Sequence, residues 1–459
     1  MFERRPLFLA VGIALGTLSL SGCGSSGGGG GDTSQGVYTP SGSSPGVGAS
    51  QSSEPLEPGL VRVAVTDSAF DVATITNSER VIDRLDVYTG TADVSGVDEW
   101  HGNAVTSTIT GGTLGNARLD LLKIEDSQGA TLNSALDYAI GEAANRGARV
   151  INASFSRRLE ASDPRLTFNG VTSATSYQRV VDANDGKGAI YVVSAGNTGS
   201  AIDTQGKPIY TSQPGLYEMM LIAVGTTPSG TIHPSSSYPG DDAQLQSRAI
   251  GTDFANRDVG AQGTSISAAR ISEYAAGIIG QWPHLTAQQA SQRLLDTASQ
   301  ESALFQQNTC GTSGTLNCGA FYLGQGVADI EAALAPEGDL IVSQSQRVAD
   351  GGALADVSYL QLSDAYGDAV AASGVLENVV AFDALGRDYA IDLGRHTQSR
   401  TVRASQLRDQ MQQMASASSS HATTQTAIEG NYRLSTRSTA YGELLSSRFD
   451  GTFGNAQLS

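Results

Sequence analysis

The chain has 459 residues, 39% of them hydrophobic and 16% charged, which is enough to bury a full core and to make about three domains of ordinary size. Its 28 Lys and Arg stand against 46 Asp and Glu, and the resulting net charge of -18 excludes a surface that wraps nucleic acid by counterion release. Small disulfide scaffolds and wholesale disorder are excluded as well, although 54 Gly and 13 Pro demand many turns and at least one flexible tract.

Arg4 and Arg5 precede an apolar run from Leu7 to Leu20, which has signal-peptide length and falls short of the ~20 residues that span a bilayer. Leu20-Ser21-Gly22-Cys23 then resembles the bacterial lipobox. That resemblance implies a lipoprotein signal peptide over residues 1–22, lipidation of Cys23, and export. With Gly24 rather than Asp in the next position, it implies a lipid anchor on the outer membrane, with the body on the periplasmic or cell-surface face. Acyl chains contribute about 0.8 kcal/mol per buried CH₂, so a lipidated Cys23 holds the chain on a membrane without a spanning helix. Residues 23–57 are Gly, Ser and Pro with few aliphatics, including the run Gly27 to Gly31, and read as a flexible tether. No strand precedes that run and no Lys-Ser/Thr follows it, so it is not a phosphate-cradling loop.

From Leu60 onward, short β-branched runs alternate with helical periodicities. Val61 to Val65, Leu119 to Ile124, Arg149 to Ala153, Ala189 to Val193 and Met220 to Val224 read as strands. Leu132, Ala135, Leu136, Ala139, Ile140 and Ala143 make an apolar helical stripe that Gly147 ends. Further helices are expected over about 176–182, from Thr264 to about Gln281, and from Leu285 to Ala298. The fold class is α/β, doubly wound around a mainly parallel sheet. Cys310 and Cys318 lie in a Gly/Thr/Ser loop of an exported chain and read as a disulfide, worth about 2.5 kcal/mol in the chain-entropy model. Too few Cys and His surround them for a zinc site.

Three short stretches carry chemistry. Asp67 ends the first strand, and the carboxyl ends of parallel strands open onto the crevice above the sheet. His101 opens a helix marked by Val105 and Ile109, and Ser265 lies at the positive end of a long helix of small residues. Each alone also fits a bland reading: a capping Asp, a structural His, a buried Ser cap. Together they stand in the order Asp, His, Ser, one of the known triad orders.

Asp67, His101-Gly102-Asn103-Ala104-Val105, Ser194-Ala195-Gly196-Asn197 and Gly263-Thr264-Ser265-Ile266-Ser267-Ala268 resemble the four signature blocks of the subtilase family of serine peptidases. The resemblance covers residues 58–335 and implies a serine endopeptidase in which Ser265 is the nucleophile, His101 the base, Asp67 its orienting carboxylate and Asn197 an oxyanion donor. It also implies that Ser154, Phe155 and Ser156, with Ser194, Ala195 and Gly196, form two walls that pair with an extended substrate, so protein or peptide substrates are the expected partners. No acidic residue stands in these walls, so no basic side chain is required at the primary pocket. The family pattern is departed from at Ala269, where Pro is usual, and at Ala69, where Gly is usual; neither change removes a catalytic atom. No cofactor is required. Structural calcium is compatible with the family, but no Asp-rich loop of EF-hand type marks a metal site. The stretch Arg157 to Thr175 reads as a surface loop or a rim of the cleft.

After residue 335, Val379 to Leu393 reads as a hairpin about a Gly turn, and Leu407, Met411 and Met414 fall at helical spacing. Residues 336–459 are therefore expected to form a small β extension and a linker helix. A subtilase followed by such a segment resembles the passenger and linker of lipid-anchored serine-peptidase autotransporters, although the chain has no room for a transmembrane barrel. The alternative to an enzyme is a surface passenger with an inert peptidase fold that acts as a binding protein or adhesin.

Overall fold

In the computed structural model, seven strands form one sheet: β1 (Val61–Asp67), β2 (Val81–Asp86), β3 (Ala117–Lys123), β4 (Val150–Ala153), β5 (Ile190–Ser194), β6 (Met220–Thr226) and β7 (Ala249–Asp253). Their order is β2-β3-β1-β4-β5-β6-β7, with every neighbouring pair parallel. The structure describes residues 56–154, 157–158, 166–167, 174–202, 213–343, 352–355, 360–362, 372–399, 408, 423–429, 432–438, 444–453 and 456–458. The signal segment, Cys23 and nearly all of the tether lie outside the described residues. So do Phe155, Ser156, most of the stretch 157–175, and the expected helix through Leu407, Met411 and Met414.

The five expected strands are all present. Two further strands, β2 and β7, form the edges of the sheet. β2 is Val-Ile-Asp-Arg-Leu-Asp, mostly half-buried, with a register shift against β3 between Val81 and Asp83. β7 is Ala-Ile-Gly-Thr-Asp, and its outer edge is covered by the segment 324–328, where Gly251 N donates to Gly326 O at 2.7 Å and Ala328 N to Gly251 O at 2.8 Å.

Period-two alternation along β1 sends Val61, Val63 and Val65 into one apolar cluster and Ala64 into another. The first cluster also holds α1 (Glu99–Thr110), α4 (Thr264–Gln281) and α5 (Ala287–Asp296); the second holds α2 (Asn133–Asn145) and α3 (Ala174–Gly186). Helices thus cover both faces, as a doubly wound α/β fold requires. In α2 the expected stripe is buried from Ala135 to Ala143, but Leu132 is 49% exposed, because it is the N-cap, in extended backbone before the helical turn begins. Gly147, at φ +79°, takes the left-handed conformation that stops the helix. α3 is regular only as far as Asp182, beyond which Ala183, Asn184 and Asp185 leave helical geometry. α4 is buried almost throughout, and Ala268, Ala269, Ala275, Ala276 and Gly277 let it lie close under the sheet.

Beyond the sheet, α6 (Ile330–Leu334) leads to a four-stranded antiparallel sheet of β8 (Ile341–Ser343), β9 (Gly352–Leu354), β10 (Val379–Phe382) and β11 (Asp388–Ile391), ordered β9-β8-β10-β11. β10 and β11 are the expected hairpin. A second antiparallel meander, β12 (Thr423–Glu429), β13 (Tyr432–Ser438), β14 (Leu444–Phe453) and β15 (Ala456–Leu458), follows. No described helix is long and apolar enough to cross a membrane.

Candidate active site

Asp67 stands at the carboxyl end of the central strand β1 and is fully buried. Its Oδ1 accepts from Ser68 N at 2.8 Å and lies 2.7 Å from His101 Nδ1. His101 occupies the first turn of α1, whose Val105 and Ile109 anchor the helix in the core. Gly102 makes that approach feasible, because a Cβ there would collide with the Ala69 carbonyl oxygen and the Phe70 ring. A carboxylate only accepts, so Nδ1 carries the proton and the Nε2 lone pair of the neutral ring faces Ser265 Oγ at 3.0 Å. The His101 side chain is 27% exposed, open enough to meet a substrate. The negative charge of Asp67 raises the His101 pKa above the ordinary 6.5; burial works the other way, and the Asp67 hydrogen bond and the Asp98 charge add to the rise.

Ser265 lies in the first turn of α4, directly after Gly263, Thr264. Gly263 sits at φ +143°, a conformation that favours glycine. Thr264 donates to Asn197 Oδ1 twice, from N at 2.9 Å and from Oγ1 at 3.0 Å, and its Oγ1 accepts from Gly196 N at 3.0 Å. The Asn197 amide is thereby turned so that Nδ2 faces away from Thr264. Neither Nδ2 nor the Ser265 N–H has a hydrogen-bond partner among the described residues. Two donors without partners thus lie at the start of α4: the exposed Asn197 side chain, tied to Thr264, and the Ser265 N–H among the orphan amides of the helix N-terminus.

Ser154 follows β4, and its carbonyl oxygen lies 3.3 Å from Ser265 Oγ. Behind it, Ser154 Oγ donates to Asn152 Oδ1 at 2.8 Å and Asn152 Nδ2 to Ser272 Oγ at 3.0 Å, a buried polar thread from β4 to α4. Ser194 and Ala195 at the end of β5 are buried, and Gly196 takes φ +106°, so these residues present backbone rather than side chains to the cleft. Phe155 and Ser156 lie outside the described residues. Ala269 is buried in the core and Ala69 packs beside Gly96; neither touches the Asp67, His101 and Ser265 side chains through a hydrogen bond. Cys310 and Cys318 form a disulfide with Cα atoms 5.1 Å apart, far from the helix that opens at Thr264 in sequence and pinned by Thr312 N, which donates to Asp241 Oδ1 at 3.0 Å. Among the described residues no group of three or more His, Cys, Asp or Glu is placed to hold a metal ion.

Three contributors escape a reading of the sequence: Thr264, which orients Asn197; the Asn152–Ser272 pair behind Ser154; and Glu125, whose carboxylate holds the backbone at the start of α1. Thr264 lies inside a signature block and Asn152 in the stretch Val150 to Phe155, which is similar to the family's substrate strand; Ser272 and Glu125 lie in neither.

A carboxylate, an imidazole and a hydroxyl in line above the carboxyl ends of a parallel sheet belong to the serine hydrolases. Residues 60–317 match the model of the subtilase family, peptidase S8, and the chain belongs to that family and is a serine peptidase. It is 28% identical over 245 residues to subtilisin DY of Bacillus licheniformis, which spans 51% of this chain and 77% of that protein. Among solved structures, MycP1 from Mycobacterium smegmatis is similar at 22% identity and a TM-score of 0.41, covering 61% of this chain and 81% of that one. A cold-adapted subtilisin-like serine proteinase is similar at 19% identity and a TM-score of 0.41, covering 59% and 91% respectively.

Proposed function

We propose that Asp67, His101 and Ser265 are the catalytic triad of an endopeptidase and that Asn197 is its oxyanion donor. The observation that carries this reading is the unbroken line of contacts, 2.7 Å from carboxylate to imidazole and 3.0 Å from imidazole to hydroxyl. Ser265 Oγ attacks the scissile carbonyl carbon while His101 Nε2 takes its proton; the carbonyl electron pair moves onto oxygen, where Asn197 Nδ2–H and Ser265 N–H receive it. The tetrahedral centre collapses, the C–N bond breaks, and Nε2–H protonates the leaving amine. Water then repeats the sequence on the acyl-enzyme. Asp67 keeps its charge throughout, holds the Nδ1–H tautomer and stabilises the imidazolium.

The substrate is an extended segment of an exported or cell-surface protein, paired with the backbone at 154–156 and 194–196. Cys23, lipidated, tethers the enzyme to the outer membrane through residues 23–57; the lipobox-like end of the signal segment supports this, as does the resemblance to autotransporter passengers.

A fluorophosphonate probe tests the chemistry. Covalent label on Ser265 of the wild type, lost together with casein cleavage in Ser265→Ala, is the expected result; wild-type protein that neither labels nor cleaves overturns the reading. Mass measurement of the mature N-terminus tests the anchor, which requires a diacylated or triacylated Cys23.

A further inference from the structure

Glu125 lies just beyond β3 and is fully buried, yet no cation pairs with it among the described residues. Burying a carboxylate without a counter-charge is costly unless its oxygens are hydrogen-bonded. Here they are bonded to backbone. Oε1 accepts from Val97 N, and the Asp98 N–H lies 3.4 Å from Oε1 and 3.3 Å from Oε2. Asp98 is the N-cap of α1, and its own side chain makes no capping bond, so the turn that starts the helix is held from outside, by Glu125. Gly96 leaves the space for this, since a Cβ there would collide with Glu125 Oε1.

The same residues are tied to the end of β1. Glu125 N donates to Ser68 O at 3.2 Å, and Ile124 N donates to Asp67 O at 2.9 Å. Ser68 Oγ donates to Asp98 O at 2.6 Å, while Ser68 N donates to Asp67 Oδ1 at 2.8 Å. Glu125, Asp98 and Ser68 therefore close a ring of hydrogen bonds. Asp67 sits on one side of the ring, and His101 begins three residues beyond Asp98 on the other. This ring ties the backbone ahead of His101 to the end of β1, while Gly96 N donates to Glu99 Oε1 at 3.0 Å and Asn103, one turn on, accepts from Asp71 N at 2.9 Å.

We propose that Glu125 is a positioning residue for His101: its carboxylate clamps the backbone amides of Val97 and Asp98, and so fixes the imidazole between Asp67 and Ser265. This rests on the reading of His101 as the general base. Misplacement of a catalytic group by about 1 Å costs on the order of 10²-fold in rate. Glu125→Ala frees the turn and is expected to lower kcat by about that factor, with KM for a peptide anilide changed by less than about twofold. Glu125→Gln keeps the shape and one acceptor but turns an NH₂ group toward one of the two amides, and is expected to lose about tenfold.

The test is made on the full chain with both variants, and follows kcat and KM, the melting temperature, and the low-field proton resonance of His101 Nδ1–H, assigned by its loss in His101→Ala. The expected result is a fall in kcat, together with a shifted or broadened resonance, in a variant that remains folded at the assay temperature. If Glu125→Ala does not fold, Glu125→Gln decides alone. Retained kcat with an unmoved resonance overturns the proposal, as does a loss of activity that only tracks the unfolded fraction. Wild-type protein that shows the resonance but takes no fluorophosphonate would overturn the peptidase chemistry instead, and the resonance would still report whether Glu125 holds His101.

Discussion

Thr264 gives both of its donors to one oxygen, Asn197 Oδ1, from N at 2.9 Å and from Oγ1 at 3.0 Å. An amide held by its oxygen has its NH₂ aimed, so Asn197, as the proposed oxyanion donor, would meet the developing charge without reorganising. Loss of one such donor in a subtilisin costs about 10²–10³ in kcat, and Asn197→Ala is expected to fall in that range. Thr264→Ala keeps the backbone donor, loses the hydroxyl and leaves Gly196 N without its acceptor, so it is expected to lose about tenfold. The decisive measurement is a double-mutant cycle in kcat: once Asn197 is Ala, Thr264→Ala should cost little more, because its effect runs through the missing amide. Additive losses would assign Thr264 a separate role.

As the proposed general base, His101 must be neutral to take a proton, and Asp67 holds its pKa above the ordinary 6.5. Activity is therefore lost as pH falls through that raised value, and the acid limb of kcat/KM should have its midpoint above 6.5. Stability runs the opposite way. The folded state favours the imidazolium, so this contribution is complete below the unfolded pKa and fades as pH rises through the folded one. Asp67→Asn removes the largest cause of the rise and leaves burial, which lowers the pKa. The His101 titration followed by NMR should move down, while kcat drops by about 10⁴. A midpoint unmoved by Asp67→Asn would mean that the carboxylate does not set the proton affinity of the ring.

How much of this is legible before folding depends on range. β1, β4, β5 and β6 announce themselves as apolar runs with β-branched residues, and β3 by its leucines, because they lie inside the sheet; β2 and β7 lie at the edges, where Asp83, Arg84 and Gly251 interrupt the apolar run. Asp67, His101, Ser265 and Asn197 are legible because each lies in a short block with its own local geometry: a strand end, a helix start, a glycine turn. Glu125 carries no such mark. Its partners Val97 and Asp98 lie 28 and 27 residues earlier, and only the tertiary approach of α1 to the end of β3 turns an acidic loop residue into a buried clamp. The Asn152–Ser272 bond spans 120 residues and is equally silent in the linear text.

Asp120, on β3, is fully buried and lies 3.2 Å from Arg146 Nη1, the same nitrogen that Asp83 Oδ2 meets at 3.1 Å. Burial outweighs the cation and pushes its pKa up to about 6 from 3.8. A carboxyl whose folded pKa is raised binds more protons folded than unfolded between those values, so stability falls as pH climbs from about 4 to about 6. Asp120→Asn removes the charge while keeping the shape. Its melting temperature should exceed that of the wild type at pH 8 by about 2–5 °C, and the gap should close below pH 4. A variant less stable than the wild type at pH 8 would show that the Arg146 pairing outweighs desolvation.

Arg387 is fully buried in the turn between β10 and β11, and four attachments converge on it. Nε donates to Asp383 Oδ2 at 2.8 Å, Nη1 to Ala333 O at 2.7 Å and Nη2 to Ala335 O at 2.8 Å, while the guanidinium lies 4.7 Å from the Trp282 ring centroid. Ala333 and Ala335 close α6, and Trp282 closes α4, so one cation fastens the C-terminal hairpin to the end of the catalytic sheet's helices. Asp383 is spoken for as well, since its Oδ2 accepts from Glu337 N at 3.0 Å. Arg387→Met would leave the buried Asp383 carboxylate without its cation and take one donor each from Ala333 O and Ala335 O, which keep only Arg293, a loss of about 3–5 kcal/mol. The measurement is urea unfolding followed by tryptophan fluorescence in a Trp100→Phe background, where Trp282 alone reports. The expected result is a midpoint lowered in proportion to that loss, with Trp282 emission red-shifted as the hairpin lifts from the ring. An unchanged midpoint would make the hairpin an appendage that the catalytic fold does not need.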